Sequence, residues 1–151
     1  MSNNEVVAGG LSMPHSPRFR DGRLWVLNSG KGEFGYVDLK KGRFEPVAFC
    51  PGFLRGLSFV GDYAVVGLSL SRHNVNFAGL PLEDALKKYS AEARCGIQVI
   101  DVKTGNVLHS IRLGGELKEL YDVVTLGGVR NPLIVGFGKS DLPRLLNPPP
   151  H

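Results

Sequence analysis

Pro14-His-Ser-Pro-Arg-Phe-Arg-Asp-Gly-Arg-Leu-Trp-Val-Leu-Asn-Ser29 sets the plan of the chain, because its pattern returns twice. Leu54 to Ser69 lies on it without a gap, so that Phe59 falls on Phe19 and Val66 on Val26. Leu120 to Phe137 follows the same pattern with an insertion at Gly127-Gly-Val-Arg-Asn131. The segments between the copies also match: Tyr36-Val-Asp-Leu-Lys-Lys-Gly42 answers Val99-Ile-Asp-Val-Lys-Thr-Gly105.

Each copy reads as strand, tight turn, strand. Asp21-Gly22 flanked by β-forming residues is a strong hairpin signal, and Gly61-Asp62 repeats it. Further strands are expected near Phe34 to Leu39 and Phe44 to Phe49. The second unit repeats the plan near Arg55 to Val60, Tyr63 to Leu68, Gly96 to Val102 and Val107 to Leu113. Between Ser69 and Cys95 the second unit carries a large insertion, residues 70–94. Within it Pro81, Leu82, Ala85, Leu86 and Tyr89 have the spacing of a short amphipathic helix, with proline suited to its first turn. The third unit offers two strands before Gly138. The ending Asn147-Pro-Pro-Pro-His151 suits neither strand nor helix.

Four antiparallel strands in roughly 40 residues is the blade period of a β-propeller. The expected fold is therefore all-β: a partial propeller of about two and a half four-stranded blades with one short helical insertion. One domain spans residues 1–151, with blades at 11–50 and 53–113, a half blade at 119–138 and a tail at 139–151. Propellers close with about 4 to 8 blades, so the chain reads as part of a longer protein. The half blade, at Leu133 to Phe137, leaves an edge through which self-association is expected.

Composition agrees with a turn-rich β domain: 42% of residues are apolar and 21% charged, with 20 Gly and 10 Pro. The net charge of +4 is spread along the chain with no basic run, which argues against a nucleic-acid partner. No stretch approaches a membrane span and the start lacks the regions of a signal peptide. A cytoplasmic location, no membrane partner and reduced, buried Cys50 and Cys95 are expected.

The chain resembles an uncharacterised bacterial family of propeller-like proteins of unknown function. The likeness is carried by Gly10-Leu-Ser-Met-Pro-His-Ser-Pro-Arg18, Asp21-Gly-Arg-Leu-Trp-Val-Leu-Asn-Ser-Gly30, Pro51-Gly-Phe-Leu-Arg-Gly-Leu57 and Phe77-Ala-Gly-Leu-Pro-Leu82. It extends over nearly all of residues 10–138. Members look about twice as long, which implies a missing half and supplies no catalytic residue.

Alignment of the copies puts His15, Arg55 and Asp122 at one repeat-equivalent position, just before the innermost strand of each blade. With Asn28 they form the candidate ligand-binding mouth of a central channel, on the same side as the 70–94 insertion. The structural alternative is an Arg55–Asp122 ion pair between blades, with His15 capping a turn. Asp38 and Asp101 precede equivalent turns and are expected to accept backbone N–H groups there. No motif for nucleotide, redox or metalloprotease chemistry occurs, no metal site is expected, and no cofactor is indicated. Two functions remain in view: a module that binds a protein or a small molecule at the mouth, and a metal-dependent, lactonase-like propeller hydrolase. The second would use His15 and Asp122 as partial ligands and draw the rest from absent blades; Asn28, and more weakly Asn74 or Asn76, are the other residues of this chain able to ligate.

Overall fold

The computed structural model describes residues 5–70 and 79–130. Eight strands form two four-stranded antiparallel sheets, each in simple sequential order. The first sheet holds β1 (Pro14–Arg20), β2 (Arg23–Asn28), β3 (Glu33–Asp38) and β4 (Arg43–Phe49). The second holds β5 (Phe53–Val60), β6 (Tyr63–Ser69), β7 (Gly96–Asp101) and β8 (Val107–Arg112). One helix, α1 (Pro81–Lys88), lies in the connection from β6 to β7, with proline in its first turn, Glu83 and Asp84 near its start and Lys87 and Lys88 near its end. That charge order suits the helix dipole.

The turns explain the register. Asp21 and Gly22 both have positive φ, 49° and 72°, the pattern of a two-residue turn whose twist matches its strands. In the second sheet Gly61 takes the first turn position at φ 52°. Asp38 accepts the N–H groups of Lys40 and Lys41 at 3.0 and 3.1 Å, and Asp101 those of Lys103 and Thr104 at 2.8 and 3.0 Å. The two carboxylates thus fold equivalent turns, and those bonds hold both below the ordinary aspartate pKa.

Alternate residues of each sheet turn to a shared core. Trp25, Leu27, Phe34 and Cys50 meet Leu54, Leu57, Ala64, Val66, Leu68 and Ile100. Each fully buried Leu, Val, Ile or Phe contributes roughly 1.5–3 kcal/mol by leaving water. Trp25 is the hub: it stacks on Phe34 with centroids 5.1 Å apart and takes Tyr36 and Phe59 edge-on.

The sheets meet along their first strands. Both β1 and β5 break register with a bulge, between His15 and Arg18 and between Leu54 and Leu57. At each bulge one residue has positive φ, Ser16 at 52° and Gly56 at 80°. The Gly56 N–H donates to the Ser16 hydroxyl at 3.1 Å. Farther along, Arg20 bonds the Gly61 carbonyl at 2.6 Å and lies over the Phe59 ring. These contacts advance together, so β1 and β5 run side by side in one direction.

The third copy of the pattern continues this arrangement without a strand among its described residues. Asp122 and Val123 abut Gly56, where an added Cβ would fall 2.4 Å from the Val123 nitrogen. Val123 also covers Gly67, and Thr125 bonds Ser58 through its hydroxyl at 2.8 Å. The segment therefore follows β5 as β5 follows β1. The pairing of Leu133 to Phe137, and the tail, lie outside the described residues. What is established is an all-β fold of two adjoining, unclosed sheets with one helix.

Candidate functional site

His15 and Arg55, expected just before the first strands, lie inside them, near the starts of β1 and β5, because the strands begin ahead of the bulges. His15 immediately precedes Ser16, Arg55 precedes Gly56, and Asp122 precedes Val123, which packs on Gly56. The three therefore occupy matching places on three neighbouring segments.

Their partners differ from the alternative of an Arg55–Asp122 ion pair. The Arg55 guanidinium pairs with Glu119 at 3.0 Å, both side chains being about one-fifth exposed. It lies 5.8 Å from the centre of the Phe53 ring and 5.3 Å from that of Tyr121. Its Nε is buried and has no hydrogen-bond partner among the described residues. His15 meets the Phe53 ring edge-on at 5.6 Å. Partial burial, followed by the charge of Arg55, lowers the His15 pKa below its usual 6.5, so its imidazole is neutral at neutral pH. Asp122 accepts the Val123 N–H at 2.9 Å and faces Arg18 across 3.6 Å, an exposed pair of little energetic weight.

Asn28 differs from this group in its contacts. It is 1% exposed, its Oδ1 accepts the Ser12 N–H at 2.7 Å and its Nδ2 donates to Glu33 at 2.8 Å. The amide ties the chain entering β1 to the end of β2, which leaves it poorly placed to reach a ligand.

The sequence reading missed three members of the group. Phe53 and Tyr121 flank the equivalent positions by two residues and one, and Glu119 lies outside the aligned copy altogether. Nothing in a single sequence links Glu119 to Arg55, since the ion pair is made by the turn of the chain into the third unit.

The described part of the insertion packs toward the first sheet. α1 rests on the 3-10 turn Ser29–Lys31. Leu82 is fully buried, with its Cδ1 2.7 Å from the place a Cβ on Gly32 would take, and Tyr89 stacks on Phe49 at 4.5 Å. Between α1 and β4 lies a cleft of about 270 Å³, lined by Lys31, Glu33, Val47, Phe49, Lys88 and Tyr89 among others. Residues 71–78, including Asn74 and Asn76, lie outside the described residues.

For chemistry, the described residues hold no group of three or more His, Cys, Asp or Glu placed to bind a metal. Cys50 and Cys95 are free and buried. Burial pushes the Cys50 thiol up to about 12, so it is no thiolate nucleophile at neutral pH. Among the described residues no helix is long and apolar enough to cross a membrane. The group around Arg55 is thus a guanidinium paired with Glu119 and flanked by two rings, beside a neutral imidazole.

The sequence model of a family described as Domain of unknown function (DUF4915) matches residues 1–135, and the chain belongs to that family. No curated protein matches the chain. Both findings agree with the resemblance to an uncharacterised family.

Proposed function

We propose that the two sheets are successive blades of a β-propeller and that the chain is a binding module. Its ligand seats on Arg55 between Phe53 and Tyr121, with His15 and Asp122 to either side. One observation carries this reading: a guanidinium flanked by two aromatic rings stands at the repeat-equivalent bulge near the start of the first strand. Arg55 also ties Glu119 of the third segment to β5, and arginine beside aromatic rings is a recurrent anchor in recognition surfaces. The parallel advance of β1, β5 and residues 122–125 supports the propeller arrangement, since it is how innermost strands of adjacent blades would meet. The ligand class that fits is a small carboxylate or an acidic protein segment, which Arg55 would pair with while a ring contacts its apolar part.

A library of small carboxylates screened by ligand-observed NMR against the full chain tests this. Compounds that bind should lose their signal changes in Arg55→Ala and weaken in Tyr121→Ala, a residue that is 71% exposed and outside the core. Binders that ignore both substitutions in folded protein would move the site elsewhere, to the cleft beside α1 in the first instance.

A further inference from the structure

The repeat does not need the helix that the second unit carries. In the first unit β2 reaches β3 through the short turn Ser29–Lys31, whereas the connection from β6 to β7 takes residues 70–95 and contains α1. Long connections with structure of their own are usually functional. By sequence α1 belongs to the second sheet, but it is seated on the first, with Leu82 against Gly32 and Tyr89 against Phe49. Its seat there makes the cleft of about 270 Å³ between α1 and β4.

An irregularity of β4 shapes one wall. Pro46, Val47, Ala48 and Phe49 all line the cleft, although alternate residues of a regular strand turn to opposite faces. Phe34 stands opposite Ala48 and Gly35 opposite Pro46, which leaves Val47 as an extra residue at the register shift. Bulges of this kind re-aim side chains and recur beside active sites. The other wall is α1, whose Tyr89 ring stacks on Phe49 with centroids 4.5 Å apart.

Both walls bring a cation. Lys31 lines the cleft from the first sheet and Lys88 from the helix, and among the described residues neither forms an ion pair, whereas the neighbouring Lys87 is engaged by Glu83 at 3.1 Å. Glu33, the carboxylate of the lining, is held by the Asn28 amide at 2.8 Å.

We propose that this cleft is a second binding site, for a small aromatic anion of single charge. Two lysines and one glutamate leave the lining with a net charge of +1, which complements a monoanion and sets Glu33 against a second negative charge. An ammonium group is a point charge without the fixed fork of arginine, so one carboxylate can be shared between Lys31 and Lys88. Val47 and the Phe49–Tyr89 stack supply the apolar wall for a ring. The volume lies just below the roughly 300–1,000 Å³ of pockets that take drug-sized ligands, so the occupant has one or two rings. Arg55 lies on β5, outside this lining, and the cleft stands independently of the ligand placed there.

Equilibrium dialysis of the full chain against naphthoate, with naphthylmethanol as its uncharged counterpart, tests the proposal. Naphthoate should bind, and the alcohol should bind roughly tenfold more weakly or worse for want of the charge-assisted contacts. Lys31→Gln and Lys88→Gln should each weaken naphthoate by a similar factor, leave the alcohol where it was and keep the melting profile of the parent. Arg55→Ala should leave naphthoate binding unchanged. A parent chain that does not retain naphthoate at millimolar concentration would overturn the proposal, as would acid and alcohol binding alike. Retention that survives both lysine substitutions and disappears in Arg55→Ala would overturn it too, and would place the anion at Arg55 instead.

Discussion

The Gly56 backbone N–H donates to the Ser16 hydroxyl at 3.1 Å, and each of the two is the positive-φ residue at which its own strand bulges. One irregularity, repeated, is thus the joint between the sheets. Gly56 has φ 80° and backbone atoms of Asp122 and Val123 within 2.8 Å of any Cβ it might carry. Gly56→Ala combines a left-handed backbone with an overpacked contact that cannot yield, and should cost about 3 kcal/mol. Ser16→Ala loses only a hydrogen bond and should cost about 1 kcal/mol. Urea denaturation of both variants checks the ordering, and a Gly56→Ala protein as stable as its parent would mean that the third segment does not sit on this joint.

The turn at Gly22 separates backbone strain from packing, because nothing lies within 4 Å of a Cβ added there. Gly22→Val should lose about 1–2 kcal/mol from its φ of 72° alone. Gly22→Asn, which tolerates that region, should lose much less. Thermal melts of the pair suffice, and equal melting points would refute the assigned turn.

Asn28 offers a test of structure against ligand contact. Asn28→Ala strands the Ser12 N–H and removes a donor from Glu33, a loss of about 2 kcal/mol for a buried, fully engaged amide. Asn28→Asp should be worse near neutral pH, where its carboxylate would face that of Glu33, and should recover in acid as the pair takes up a proton. Binding measured on the folded fraction should be unaffected in both. A variant that keeps full stability and loses binding would return Asn28 to the ligand site.

His15 links the site to pH. Its folded pKa lies below 6.5, so between the folded value and 6.5 the unfolded chain holds more protons than the native one. The stability contributed by the neutral ring is complete above that range and is lost as pH falls through it. Burial drives the shift, with Arg55 on the adjoining strand adding to it, while Glu119 offsets part of the arginine's charge and the Arg18–Asp122 pair lies on the flanking segments. Melting temperature should therefore fall more steeply from about pH 7.5 to about pH 5 in the parent than in His15→Gln. Identical slopes would mean that protonation of this ring costs the fold nothing.

The regular parts of the fold were legible because repetition and turn chemistry are local. Asp21-Gly22 and Gly61-Asp62 located both first hairpins, Asp38 and Asp101 marked equivalent turns, and the apolar spacing from Pro81 to Tyr89 located α1. The alignment that set His15, Arg55 and Asp122 together also set Ser16 on Gly56, although only the folded backbone shows that both are bulge residues. What did not show in the sequence depends on contacts between distant residues. Tyr121 and Glu119 reach Arg55 through the path of a segment that is extended without being a strand, and the polar Asn28 gives no sign that its amide is buried and satisfied. The direction in which α1 leans is of the same kind: its apolar face was readable, but its seat on Gly32 and Phe49 was not.

That seat bears on how the molecule is made. A ribosome finishes the first sheet at Phe49, when the residues that cover Trp25, Leu27 and Phe34 have yet to be synthesised. Leu54, Leu57, Val66 and Leu68 follow soon, but Leu82 and Tyr89 reach back to Gly32 and Phe49 only after the insertion has emerged, and Ile100 comes later still. The nascent chain thus carries an incomplete apolar surface through much of its translation, a state in which chaperones are normally engaged. The core face of the first sheet is closed only by residues made after it.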